Sequence, residues 1–435
     1  MQDNPFTYGN PISDPQRFFG RTREIEQIFG RLRNPEFESS SVVGDRRIGK
    51  TSMLNYLADP GVRAAHGLGT DNYTFVYADL QMVDDAMGPE QLWRRLLASL
   101  QAQCRDDVIV TALKEVLALR HLNTFDLDGF FQKVDDKGHH VAFLLDEFAR
   151  VTTNTNFRPD FYFGFRSLAI HHNVALVTSS RLELVELCHS EDVRSSPFFN
   201  IFANINLRMF SLADFRTLVS ESLSNTSVRF TDQEITEILD LAGLHPYFLQ
   251  VACCLLFEAY SQGLDSASRQ AFLVARFQDE ANPHFTDYWG KSGDPEKIVL
   301  TAAALLERQA GRSAGVTAGD LRRVFSRAEP NIVRLDKRSL LMRTDADWRL
   351  FSCVLGPWIL DQIMAELGEQ QSFPQWLAQN KDARERVKGR RGKSLKEVLP
   401  KIGPQYRQLI LTWASDPQSV GAMAGLLKSV LSIVS

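Results

Sequence analysis

The nine residues Gly44-Asp-Arg-Arg-Ile-Gly-Lys-Thr-Ser52 follow directly on the apolar run Ser41-Val42-Val43 and fit the pattern G-x-x-x-x-G-K-[ST] at every required position. A loop of this kind constrains the fold strongly, because it needs a short strand before it and a helix after it. The glycines let successive backbone N–H groups curl around a phosphate. Lys50 sets a cation against the outer phosphates, and Thr51 presents a hydroxyl to Mg2+. Met53 to Leu57 then read as a helix whose N-terminus faces the anion.

At 435 residues with 44% hydrophobic content, the chain has material for two or three cores. Its formal net charge of −4 provides no global attraction to nucleic acid or to an anionic membrane, so any such contact must be local. The cysteines Cys104, Cys188, Cys253, Cys254 and Cys353 show no C-x-x-C spacing, and an adjacent pair cannot easily bridge itself. They suit a reducing cytoplasm. The start Met1-Gln-Asp-Asn-Pro5 lacks the charged-then-apolar layout of a secretion signal. No run approaches the roughly 18 apolar residues that span a bilayer. The expectation is a cytoplasmic protein without a transmembrane segment.

Up to about residue 180, short apolar runs alternate with helical periodicity, which predicts a parallel sheet with helices on both faces. The predicted strands are 40–43, 74–78, 141–145 and 174–178. Ile25, Ile28, Phe29 and Leu32 form one apolar helix face, and Leu92, Leu96, Leu97 and Leu100 another. From about 207 the pattern is helical, with Ser211 as an N-cap and Thr231 to Glu234 as a capping box. Helices starting at Pro295, Thr317 and Asn331, followed by a hairpin turning at Asp345 to Asp347, suggest a winged helix. The predicted division is a nucleotide-binding α/β core at 1–206, a helical lid at 207–290, a winged helix at 291–367 and a helical interaction segment at 368–435. Between Lys381 and Lys401 nine basic residues stand against three acidic ones, a local net of +6 that leaves about −10 elsewhere. Beyond it, Val420, Met423, Leu427, Val430, Leu431 and Val434 give an amphipathic C-terminus.

A phosphate loop needs a carboxylate site at the end of another strand. Val141-Ala-Phe-Leu-Leu-Asp146-Glu147 supplies it: Asp146 for the metal's water shell, Glu147 to accept the proton of an attacking water. By itself this reads equally well as a strand ending in a solvated acidic turn; together with the loop it reads as a site. Ser179-Ser180-Arg181 ends the 174–178 strand at the same sheet edge, where Arg181 would sense a γ-phosphate or be an ordinary surface arginine. Arg166 has two readings, a surface residue or a finger across a subunit contact, and the first is preferred. His245 and Pro246 open a helix and would close over a nucleotide, or form a plain helix start.

Other motifs fail on spacing. Gly389-Arg-Arg-Gly-Lys-Ser394 looks like a second phosphate loop, but Val387 stands where its first glycine belongs. His139-His140 and His171-His172 lack metal-ligand spacing, and neither H-E-x-x-H nor G-x-S-x-G occurs.

With these residues in place, the chain resembles the STAND class of P-loop ATPases, bacterial and archaeal AAA-like proteins related to origin-recognition AAA+ ATPases. The resemblance spans residues 4 to 365 and runs through Asn4 to Gly9, Phe18-Phe-Gly20-Arg21, the loop with Arg46-Arg47, Asp146-Glu147, Thr178 to Arg181 and Gly243 to Tyr247. It is further carried by Leu350-Phe-Ser352 and Trp358-Ile359. It implies ATP or ADP with Mg2+ as ligands, held by Gly20, Arg21, Gly44, Arg46, Arg47, Ile48, Gly49, Lys50, Thr51, Ser52, His245 and Pro246. It also implies catalysis by Lys50, Glu147 and Arg181, and a metal on Thr51 and Asp146. Gly20 and Arg21 would contact adenine or ribose. The chain departs from the pattern at Asp45, where relatives often carry proline.

The leading functional expectation is a slow ATP-hydrolysing switch whose nucleotide state rearranges the lid, winged helix and 368–435 segment, with a protein partner or self-association through that segment. The alternative is a DNA-binding ATPase using Arg334, Lys337 and Arg338 together with the 381–401 cluster. A solvated or intramolecularly packed winged helix is preferred over it. Peripheral membrane contact through the last helix, where Lys428 is the lone charge from Val420 on, ranks below packing on its own domain.

Overall fold

The computed structural model describes residues 3–310, 315–324, 328–344 and 347–367. The chain divides into two compact units, one of them Tyr8–Ser222, the other joining the N-terminal residues up to Thr7 to the chain from Leu223.

The Tyr8–Ser222 unit is built on a five-stranded sheet of β1 (Ser40–Val43), β2 (Tyr73–Asp79), β3 (His140–Asp146), β4 (Val174–Ser180) and β5 (Ala203–Asn206). The strand order is β2-β3-β4-β1-β5 and every pairing is parallel. Its helices are α1 (Thr22–Leu32), α2 (Lys50–Ala58), α3 (Pro60–Ala65), α4 (Pro89–Gln103), α5 (Asp107–Leu117), α6 (Thr124–Asp135), α7 (Ala149–Thr152), α8 (Pro159–His171), α9 (Glu191–Arg194) and α10 (Leu212–Leu223). Residues of β1 and β4 are buried throughout, as a sheet covered on both faces requires.

Two cores flank the sheet. Ile28, Phe29 and Leu32 of α1 pack with Met53, Leu54 and Leu57 of α2 against Val42, Leu144 and Val177. On the opposite face Leu96, Leu97 and Leu100 of α4, Phe130 and Phe131 of α6, and Phe165 of α8 meet Phe143, Leu145 and Leu176. The four expected strands are present, three of them two residues longer than their apolar runs. β5 was not expected: of Ala203-Asn-Ile-Asn206 only Ile205 is buried, so an edge strand leaves no apolar run to read.

The second unit contains α11 (Asp232–Ala242), α12 (Pro246–Ser261), α13 (Ser266–Gly290), α14 (Asp294–Ala310), β6 (Val316–Thr317), α15 (Ala318–Val324), α16 (Ala328–Lys337), β7 (Leu341–Thr344), β8 (Asp347–Leu350) and α17 (Leu355–Leu367). Thr231 and Glu234 cap α11 reciprocally, as their spacing predicts. Thr317 caps α15, its hydroxyl bonding Asp320 N at 3.0 Å and Asp320 Oδ2 at 2.7 Å. α16 begins at Ala328, ahead of the Asn331 start that the sequence suggests. Strands β6, β8 and β7 form a small antiparallel sheet in that order. No helix among the described residues is long and apolar enough to cross a membrane. The 368–435 segment, with its basic cluster and amphipathic end, and hairpin residues 345–346 lie outside the described residues.

Candidate functional site

The phosphate-type loop emerges from the C-terminal end of β1, beside the ends of β4 and β5, the edge at which open parallel sheets bind ligands. Gly44 N donates to Ser180 O at 3.1 Å and Leu207 N to Val43 O at 2.7 Å, fixing the start of the loop between its neighbours. A Cβ on Gly44 would sit 2.7 Å from Ile48 Cγ2 and 3.0 Å from Leu207 O, so the first glycine is required by packing. Arg47 at φ 63° and Gly49 at φ 103° turn the chain into α2. Gly49 is the N-cap of α2 and has no side chain to accept from the first-turn N–H groups, which face the loop.

Lys50 is buried, and its ammonium donates to Gly44 O at 2.9 Å and to Asp45 O at 3.2 Å. Burial pulls its pKa below the usual lysine value, while the carboxylates of Glu147, Asp45 and Asp146 act in the opposite sense. Arg181 adds to the lowering, which places its guanidinium within electrostatic reach of Lys50. Asp45, the departure from the resembled pattern, turns into the loop and accepts from Arg46 N at 2.8 Å. It therefore supports the Lys50 charge.

Asp146 ends β3, is almost fully buried, and gathers four donors. Thr51 Oγ1 reaches its Oδ2 at 2.7 Å and Tyr77 OH the same oxygen at 3.2 Å. Glu147 N reaches Oδ1 at 3.1 Å, and Ser179 Oγ donates to that oxygen as well. Ser179 Oγ also accepts from Glu147 N at 3.1 Å, linking β4 to the residue after β3. Glu147 has φ 53°, a left-handed conformation that costs a non-glycine residue about 1–3 kcal/mol and concentrates at functional sites.

Arg21 is buried and directed at the loop itself: it donates to Ile48 O at 3.1 Å, lies 3.6 Å from Glu24 and stands over the Phe210 ring at 4.9 Å. Gly20, at φ 71°, leaves room for Asp214, whose Cγ would lie 2.9 Å from a Cβ there. Ser52 Oγ accepts from Ile12 N at 3.0 Å, and Arg47 donates to Tyr8 O at 3.3 Å, so the segment before α1 is tied across the loop. Arg166 lies half-buried on α8. His245 and Pro246 belong to the second unit, where buried His245 occupies the N-cap position of α12 without a side-chain capping bond and packs with Phe248, Tyr288 and Phe351. Tyr77, Phe210 and Asp214 carry no motif signal. Ser179 was legible only as a polar residue at a strand end.

A loop of G-x-x-x-x-G-K-T form, its lysine among three carboxylates and its threonine on the aspartate that ends β3, is the arrangement of a P-loop nucleotide site. The sequence matches the family described as Novel STAND NTPase 2 over residues 35–299, more than half of the chain. The chain belongs to this STAND NTPase family. Among solved structures, the NTPase is similar to the Walker-type ATPase PABY2304 of Pyrococcus abyssi, with 15% identity and a TM-score of 0.54, covering 81% of this chain and 98% of that one. It is similar also to the Aeropyrum pernix ORC2 protein, solved as ADPNP–ADP complexes, with 13% identity, a TM-score of 0.51, and coverage of 83% and 98%. At these identities the likeness establishes the fold: a parallel P-loop NTPase sheet with helices on both faces. No curated protein matches the sequence.

Proposed function

We propose that this STAND NTPase is a regulatory switch that binds ATP and hydrolyses it slowly, coupling nucleotide state to rearrangement of its helical modules. The observation that carries the reading is the Thr51–Asp146 hydrogen bond beside buried Lys50, at the ligand-binding edge of the sheet. The ADPNP–ADP complexes of the ORC2 protein agree with an adenine nucleotide at a site of this fold.

The oxygen donors of Thr51 and Asp146 fit Mg2+, which takes one or two protein oxygens and completes its shell with water and phosphate. When bound, Mg2+ supplies positive charge against the phosphates. Lys50 exchanges its two carbonyl partners for the outer phosphates. Glu147 takes the proton of the attacking water on its carboxylate, and Arg181 senses the γ-phosphate from the end of β4. Gly20 and Arg21 contact the adenine or ribose, and Arg21 also holds the Ile48 carbonyl of the loop.

The proposed division is core 1–206, helical lid 207–290, winged helix 291–367 and effector-type segment 368–435. The helix-strand-helix-helix-hairpin order of α14 to β8 supports the third of these. A cytoplasmic location, ATP as ligand and a protein partner or second copy at 368–435 complete the reading. The DNA-binding alternative is weakened by Arg338, which is buried and bonded to Glu296 Oε2 at 2.8 Å and Ser292 Oγ at 2.9 Å.

The test is to identify the nucleotide retained by the purified full chain, then exchange it for a non-hydrolysable ATP analogue and measure affinity and particle size. A switch requires ADP and the analogue to favour different arrangements. Retained ADP with a size change on exchange supports it. Identical size and identical protease-cleavage patterns in both nucleotide states would sink it.

A further inference from the structure

Asp146 is bound more completely than a metal-site carboxylate needs to be. Its two oxygens offer about four lone-pair sites, and four donors occupy them: Thr51 and Tyr77 on Oδ2, Glu147 N and Ser179 on Oδ1. Thr51 is the residue that the loop motif assigns to the cation. A hydroxyl would hold a metal through an oxygen lone pair and keep its proton to donate, so Thr51 would be shared between cation and carboxylate, whereas Tyr77 would serve Oδ2 alone.

Tyr77 is well placed for such a role. It is held by strand register, paired with Leu144 two positions before Asp79 meets Asp146, so its ring is set by the sheet and not by a mobile loop. The half-buried phenol donates to the carboxylate at 3.2 Å.

We propose that Tyr77 is a positioning residue for the metal-dependent part of nucleotide binding: its hydroxyl, donating beside that of Thr51, fixes the orientation of the Asp146 carboxylate that would serve the cation shell. This rests on the reading of the loop as an Mg-nucleotide site. A residue with this role affects only the gain in nucleotide affinity that the metal provides. A residue that merely fills space at the end of β2 affects binding with and without metal alike.

The experiment titrates full-length protein and Tyr77→Phe with a fluorescent ADP, once in EDTA and once in saturating Mg2+. The quantity read is the ratio of the two dissociation constants. Phenylalanine keeps the ring and removes one hydrogen bond to a charged acceptor, so the ratio is expected to fall about tenfold, with the EDTA affinity within about twofold of the parent. An unchanged ratio overturns the proposal, and so does an equal loss in both conditions. If the parent binds no ADP in either condition, the nucleotide reading itself falls. If it binds equally well with and without Mg2+, only the metal role of Asp146, and Tyr77 with it, is refuted.

Discussion

Thr51 and Asp146, 95 residues apart in the chain, share a 2.7 Å hydrogen bond that joins the first turn of α2 to the end of β3. β4 lies between β1 and β3 in the sheet, and Ser179 from β4 bonds the other oxygen of the same carboxylate. The ends of β3 and β4 and the first turn of the helix after β1 thus deliver residues to one point, where the charge of Lys50 is also felt.

If these residues have the roles proposed, two substitutions separate binding from chemistry. Lys50→Ala removes charge-assisted phosphate contacts and is expected to weaken ATP binding by about ten- to a hundredfold. Glu147→Gln is expected to bind ATP within a few-fold of the parent but to hydrolyse it on the order of 10² to 10⁴ times more slowly. Single-turnover hydrolysis and equilibrium binding on both variants check this. Normal turnover in Glu147→Gln removes it as the base.

The first glycine of the loop makes a packing prediction that needs no ligand. In Gly44→Ala the added methyl must displace Ile48 Cγ2 and the Leu207 carbonyl, lying 2.7 Å and 3.0 Å away. Overpacking of this kind costs about 1–3 kcal/mol. Urea unfolding is expected to show that loss, and a Gly44→Ala protein as stable as its parent contradicts the packing described here.

The loop, four of the five core strands and the carboxylate pair were legible because each is local: a fixed spacing, an apolar run, an acid pair at a strand end. What sequence reading missed depends on register or on distant partners. Tyr77 matters because β2 pairs with β3 two residues from Asp146. Asp214 matters because Gly20 makes space for it. Arg338 was grouped with Arg334 and Lys337 as one basic helix face. It is buried, whereas its two neighbours are exposed, a difference set by Glu296 and Ser292 some forty residues earlier.

That difference is measurable. Arg338→Met leaves Glu296 without this partner in a buried setting and is expected to cost about 3–5 kcal/mol, whereas the double variant Arg334→Ala, Lys337→Ala stays within about 0.5 kcal/mol of the parent. Chemical denaturation of the full chain reads both. Equal, small effects in all variants show that Arg338 is an ordinary surface residue.

His172 predicts a pH dependence. It is held by Asp135 Oδ2 at 2.6 Å and Asp128 Oδ1 at 2.9 Å, clamping the end of α8 onto α6. Burial alone lowers its pKa, but the two carboxylates outweigh that and raise it. A histidine whose folded pKa exceeds its unfolded value near 6.5 contributes stability that is complete below that pH and is lost as pH rises through the folded value. Denaturation midpoints of the parent and His172→Gln should therefore differ most near pH 6 and converge as pH rises through the raised folded value. A gap that widens with rising pH reverses the sign and rejects the clamp.

ATP binding at the Gly44 to Ser52 loop is tested most directly by thermal unfolding of the full chain with and without Mg-ATP. At a nucleotide excess of about a thousandfold over the parent's Kd, binding adds about 4 kcal/mol, expected as a rise of several degrees in Tm for the parent and a clearly smaller one, roughly one to two thirds of it, for Lys50→Ala. No rise in the parent, or equal rises in both proteins, contradicts it.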